Sequence, residues 1–96
     1  MLEIRPSCEH CDTDLPYNAT DAMICTFECT YCEACAIELF KNVCPNCGGG
    51  FVPRPIRPAH HLVKYPVSTQ RIHKPKDFKE TDVIIRKYVR VKPENR

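Results

Sequence analysis

Eight cysteines, Cys8, Cys11, Cys25, Cys29, Cys32, Cys35, Cys44 and Cys47, carry the chemistry this sequence advertises. They read C-x2-C-x13-C-x3-C-x2-C-x2-C-x8-C-x2-C, with three well-separated C-x-x-C pairs. Two intervening residues in a tight turn put both sulfurs on one side of the backbone. The N–H groups of that turn point at the thiolates and offset their charge, so the spacing suits a metal ion. In Cys44-Pro45-Asn46-Cys47-Gly48 the proline presets the turn and the glycine can take the left-handed conformation that closes it. Eight thiolates divide without remainder into two tetrahedral sets of four, the closed coordination of structural zinc, so two Zn²⁺ ions are expected. Two alternatives compete. A disulfide framework needs an oxidising compartment, for which no secretion signal speaks. An iron–sulfur cluster would use the run Cys29, Cys32, Cys35 with Cys44-Pro45 behind it.

These ligands need elements to position them. Between Cys35 and Cys44, Ala36, Ile37 and Phe40 recur at helical spacing and Asn42 can end the turn, which predicts a short helix. At about 1.5 Å per residue such a helix separates the two cysteines by roughly 13 Å, too far to share one ion. The consistent pairing is interleaved. Cys8, Cys11, Cys32 and Cys35 form site 1, and Cys25, Cys29, Cys44 and Cys47 form site 2; sequential pairing stays open if the helix is absent. Met23, Cys25, Phe27, Cys29 and Tyr31 alternate with Ile24, Thr26, Glu28 and Thr30, predicting a short β-hairpin that carries two ligands. Phe27, Tyr31, Ile37 and Phe40 are read as a miniature core between the sites.

With 96 residues, no tryptophan and 8% aromatic residues, the chain has room for one small core that needs a staple. No apolar stretch is long enough for a membrane span, and Met1 to Ser7 has no apolar signal core, so a cytoplasmic protein is expected. The net charge of +2 conceals a split. Residues 1–51 hold two basic residues against eight acidic ones, and residues 52–96 hold twelve against four, so the halves carry −6 and +8. Eight thiolates on two Zn²⁺ ions would take the first half to −10. Three segments follow: a two-zinc module over 1–51, a proline-rich basic arm over 52–81, and a basic C-terminal strand and tail over 82–96. The strand is read from Val83, Ile85, Val89 and Val91, which alternate with Ile84, Arg86, Tyr88 and Arg90. The predicted class is thus a small metal-stabilised α+β fold with a short hairpin, one short helix and an extended basic tail.

The order and spacing of the eight cysteines resemble a RING-type, treble-clef cross-brace with Cys at every position. More closely, Met1-Leu2-Glu3-Ile4-Arg5-Pro6, Ile24-Cys25-Thr26-Phe27-Glu28-Cys29-Thr30 and Val43-Cys44-Pro45-Asn46-Cys47-Gly48-Gly49 look like the small bacterial family catalogued as domain of unknown function 1272. That likeness extends to roughly Arg71 and implies no activity. The RING likeness implies a ubiquitin-ligase reading, but Glu9 and His10 stand where such ligases commonly carry an apolar contact. Gly48 stands where they often carry a basic residue, and the helix lacks their usual tryptophan.

Three classes of function follow. The first is a non-catalytic, zinc-stabilised interaction module with an unidentified protein partner. The second is nucleic-acid binding through the +8 half, where Arg86, Lys87, Arg90 and Lys92 flank Tyr88. Against it, Arg54, Arg57, Lys64 and Arg71 can wrap across the acidic face of their own domain. The third, an enzyme, is disfavoured because four thiolates leave no open position for water. No other catalytic pattern is evident. His10, His60, His61 and His73 read as solvated surface residues, and Asp12, Asp14 and Asp21 as loop-solvating carboxylates. An edge-exposing C-terminal strand would also permit a homodimer.

Overall fold

A computed structural model describes all residues 1–96. Strands β1 (Ala22–Ile24) and β2 (Thr30–Cys32) form the expected antiparallel hairpin, with Ala22 opposite Cys32 and Ile24 opposite Thr30. A third strand, β3 (Val52–Pro53), pairs antiparallel with the other side of β1, giving the order β2-β1-β3. The sheet therefore continues past residue 51, and the first two residues of the proline-rich arm belong to the module. The hairpin reverses tightly: Glu28 N–H donates to the Cys25 carbonyl at 3.1 Å, and Glu28 itself takes a left-handed φ of 63°.

After Cys32 the chain makes one wide helical turn, Ala34–Leu39, in which Phe40 N–H reaches back five residues to the Cys35 carbonyl at 2.8 Å. Lys41 (φ 53°) and Asn42 (φ 62°) then leave the helix through left-handed backbone. Asn42 tolerates this conformation, and its Oδ1 accepts the Phe51 N–H at 2.8 Å, fixing the turn to the end of the module.

The core is small and partly made of sulfur. Tyr31 packs edge-on against Phe40 (5.1 Å between centroids) and Phe51 (5.6 Å), with Ile4, Leu15 and Val43 also buried and five cysteines, Cys8, Cys25, Cys32, Cys35 and Cys44, among the buried residues. Two of the four expected core residues are elsewhere. Phe27 is 72% exposed because it occupies the hairpin turn, and Ile37 is 39% exposed on the outer side of the helical turn. Phe51 and Leu15, distant in sequence, fill the space instead.

The arm lies on the module. Arg54 is 4% exposed, and its guanidinium donates to the carbonyls of Arg5 (2.8 Å), Leu15 (3.2 Å) and Pro16 (2.8 Å). Arg57 donates to the carbonyls of Leu2 and Tyr65. Arg71 binds Asp12 at 2.8 Å and Asp14 at 2.7 Å, so these carboxylates hold an arginine as well as meeting solvent. Lys64 does not join this set and lies over the Tyr65 ring. Helical turns run from Ala59 to Tyr65, where Tyr65 N–H donates to the His61 carbonyl at 2.8 Å, and the prolines on either side keep the neighbouring stretches out of helix.

The expected C-terminal strand is not formed; residues Phe78–Tyr88 are a helix, α1. The boundary drawn at residue 82 thus falls inside α1, and the homodimer expected through that strand loses its basis. Asp77 caps the helix by accepting Lys79 N–H at 2.9 Å, and Glu80 sits three positions on, the local signature of a helix start. Thr81 is buried and Ile84, Ile85 and Tyr88 are half-buried, an i, i+3, i+4, i+7 face that a two-residue alternation splits between opposite sides. No helix is long and apolar enough to cross a membrane.

Candidate metal centre

The eight cysteines are free thiols, and seven of them gather into two clusters. In the first, the sulfurs of Cys8, Cys11, Cys32 and Cys35 all lie within 4.8 Å of one another. Cys8 and Cys11 come from the first knuckle, Cys32 ends β2, and Cys35 opens the helical turn. In the second, Cys25, Cys44 and Cys47 meet the same limit. Cys29 adjoins them, its sulfur interacting with those of Cys25 and Cys44, but it stands outside the mutually close three. Cys25 and Cys29 bracket the hairpin turn, whereas Cys44 and Cys47 form the last knuckle. The clusters therefore take their members alternately along the chain.

Cys11 Sγ and Cys32 Sγ are 3.7 Å apart. A disulfide requires about 2.05 Å. Four sulfurs each about 2.3 Å from a central ion in tetrahedral array are separated by roughly 3.8 Å, so the observed spacing suits a shared cation.

Hydrogen-bond donors surround the sulfurs. Cys11 N–H points at Cys8 Sγ (3.5 Å), Phe27 N–H at Cys25 Sγ (3.3 Å) and Gly49 N–H at Cys47 Sγ (3.4 Å). Side chains add the Thr26 hydroxyl to Cys47 Sγ and Asn46 Nδ2 to Cys29 Sγ, the latter at 3.4 Å; at Cys11 the direction reverses, the thiol donating to Thr13 Oγ1 at 3.2 Å. Thr13, Thr26 and Asn46 contact the sulfurs, and cysteine spacing alone does not single them out. Their signal is a short polar side chain one or two positions from a ligand.

Crowding pushes the thiols in opposite directions. In the second cluster, hydrogen bonds from Cys25 and then Cys44 hold Cys29 far below the usual thiol range, while Cys44 is pushed up by those same two neighbours, Cys25 and Cys29, and by burial. In the first, burial opposes ionisation of Cys11, yet its hydrogen bonds with Thr13, Cys8 and Cys32 bring it down to about 6; Cys35 is pushed up by burial and by Cys32. Thiolates this close cannot all be anions by themselves. A divalent cation removes the conflict by taking every sulfur in its ionised form.

None of the four histidines joins a cluster. His60 and His61 are exposed, with ring centroids 4.0 Å apart. His10 is half-buried: its ring meets Phe40 edge-on, and its Nδ1 accepts the Lys76 N–H at 2.9 Å. His73 Nε2 lies 3.2 Å from the His10 carbonyl.

Comparison with known proteins places this geometry in context. The family described as "Protein of unknown function (DUF1272)" matches residues 1–57. An uncharacterised protein of Rhizobium meliloti (strain 1021) is 60% identical over 75 residues, covering 78% of this chain and 89% of the relative. No solved structure matches.

Proposed function

The chain belongs to the DUF1272 family, and we propose that it is a non-catalytic protein-interaction module whose fold depends on two structural Zn²⁺ ions. Cys8, Cys11, Cys32 and Cys35 would hold one ion, and Cys25, Cys29, Cys44 and Cys47 the other. One observation supports this reading: two groups of sulfurs that alternate along the chain, four within 4.8 Å of one another in the first and three in the second with Cys29 adjoining, and N–H donors aimed at sulfurs of both. Four thiolates per ion leave no coordination position for water, which favours a structural role over hydrolysis. Structural zinc contributes about 10–16 kcal/mol in peptide-sized domains, enough to decide whether so small a core folds. The alternation of the two groups along the chain supports reading them as a RING-like cross-brace.

Nucleic-acid binding through the basic half is the second reading. Lys79, Arg86, Lys87, Arg90 and Lys92 are exposed, which supports it. Arg54, Arg57, Arg71 and Arg96 are engaged within the chain, which weakens it. Native mass spectrometry of the purified protein tests the first reading: two zinc ions per chain are expected, and a metal-free or disulfide-linked native protein would overturn it. Titration of labelled DNA and RNA at low and high salt tests the second, and no binding at low salt removes it.

A further inference from the structure

Residues 73–96 lie across both cysteine knuckles like a bound peptide. The first part is extended and is recognised through its backbone. Lys74 N–H donates to the Glu9 carbonyl at 2.8 Å and Lys76 N–H to His10 Nδ1 at 2.9 Å, both acceptors lying between Cys8 and Cys11. Lys76 Nζ then crosses to Asn46 Oδ1 at 2.6 Å, between Cys44 and Cys47. Helix α1 follows, with Ile85 packed on the core and Ile84 and Tyr88 laid over Gly48. A Cβ on Gly48 would stand only 2.9 Å from the Tyr88 ring, so this surface is shaped to a bare backbone. Beyond the helix, Pro93 covers Gly50, and Arg96 donates to the carbonyls of Asn42 (2.8 Å) and Gly48 (3.1 Å).

The segment covers the core without completing it. All twelve residues of the core cluster lie between Cys8 and Phe51, and of residues 73–96 only Thr81 is fully buried. Main-chain hydrogen bonds to an extended stretch, followed by an amphipathic helix in a shallow groove, are two recurring modes of peptide recognition. Here they occur together, in cis, on a surface built by the residues of the cysteine-bearing module.

We propose that the surface running from His10 through Asn46 to Gly48 is a peptide-docking site, that the chain's own 73–96 segment is its resident ligand, and that a partner protein binds by displacing it. This deepens the interaction-module reading and rests on it. The tail specifies the partner's chemistry: an extended lysine-bearing stretch leading into a capped helix with Thr or an apolar residue at i and apolar residues at i+3, i+4 and i+7, as in Thr81, Ile84, Ile85 and Tyr88. Tethering gives the tail an effective concentration on the order of millimolar, so the site is masked until the tail is released.

The test uses full-length protein and a fluorescent synthetic peptide of residues 72–96. In the double variant Ile84→Asp with Tyr88→Ala, the amides of residues 78–88 should lose hydrogen-exchange protection. That variant should bind the peptide at least tenfold more tightly than wild type; a scrambled peptide should not bind, and a peptide carrying Lys76→Met should bind more weakly. A milder pair, Lys76→Met with Arg96→Ala, should give the same ordering if the first variant folds poorly. Equal binding by wild type and variant, binding by neither, or unchanged protection of residues 78–88 would overturn the proposal. Tail-exchanged dimers in native mass spectra would assign the site to a second copy and overturn displacement by a partner. The same spectra count the ions, so missing metal in the wild type exposes failure of the zinc reading separately.

Discussion

Glu9 and Thr30 hold one another by two hydrogen bonds: Glu9 N–H donates to the Thr30 carbonyl at 2.9 Å, and Thr30 N–H donates to the Glu9 carboxylate. The same carboxylate accepts from Arg5 at 2.7 Å, and Glu9 is buried. One side chain thus locks the first knuckle to β2, the strand that delivers Cys32. Glu9→Ala leaves the buried Thr30 N–H without its acceptor and leaves Arg5 with only the 3.9 Å ion pair to Glu3, and should destabilise the metal-loaded protein by about 3 kcal/mol. Glu9→Gln keeps an acceptor for Thr30 and should cost about half as much. Thermal unfolding followed by circular dichroism gives the ordering.

Metal removal should unfold the module. With five cysteines among the twelve residues of the core cluster, a strong chelator is expected to collapse the amide NMR spectrum, and dispersed resonances after chelation would contradict this. The sign with pH follows from proton uptake. The metal-free, unfolded chain binds more protons than the metal-thiolate state, so stability rises with pH and is lost on acidification. Metal release measured along an acid titration should show proton uptake accompanying loss of the ions.

Gly48 carries both a left-handed φ of 78° and the Tyr88 ring. Gly48→Ala should therefore cost about 1 kcal/mol for backbone strain and a further 1–2 kcal/mol for overpacking against Tyr88. In a Tyr88→Ala background only the backbone part should remain. A double-mutant cycle by thermal denaturation reads the difference, and strict additivity would deny the contact.

Arg54 and Arg71 are both arm arginines with opposite expectations. Burial lowers the Arg54 pKa, and its donors satisfy three main-chain carbonyls, so Arg54→Met should destabilise by about 2–4 kcal/mol. Arg71 is exposed and pairs with Asp12 and Asp14 in solvent. Arg71→Ala should have a much smaller effect that disappears at high salt. Comparison of the two variants at low and high ionic strength checks both.

Local spacing in the sequence was enough to read how the sulfurs group. A C-x-x-C turn converges two sulfurs whatever surrounds it, and the distance along the chain from Cys35 to Cys44 separates those two cysteines. The hairpin between Ala22 and Cys32 and the end of the helical turn at Asn42 were legible for the same reason, because alternation and left-handed tolerance are properties of a few adjacent residues. Tertiary structure decided which faces are buried. Phe27 and Ile37 have the right character for a core, but Phe51 and Leu15 reach it first because β3 and the first loop return the chain there. The run Asp82 to Lys92 carries both a two-residue and a helical periodicity, and the Asp77 cap with a docking surface over Gly48 selects the helix. Arg54 and Arg96 find backbone carbonyls roughly 40–50 residues away, partners that no neighbouring residue announces. Ligand spacing is written in local geometry, whereas burial and docking depend on where the chain returns after it folds.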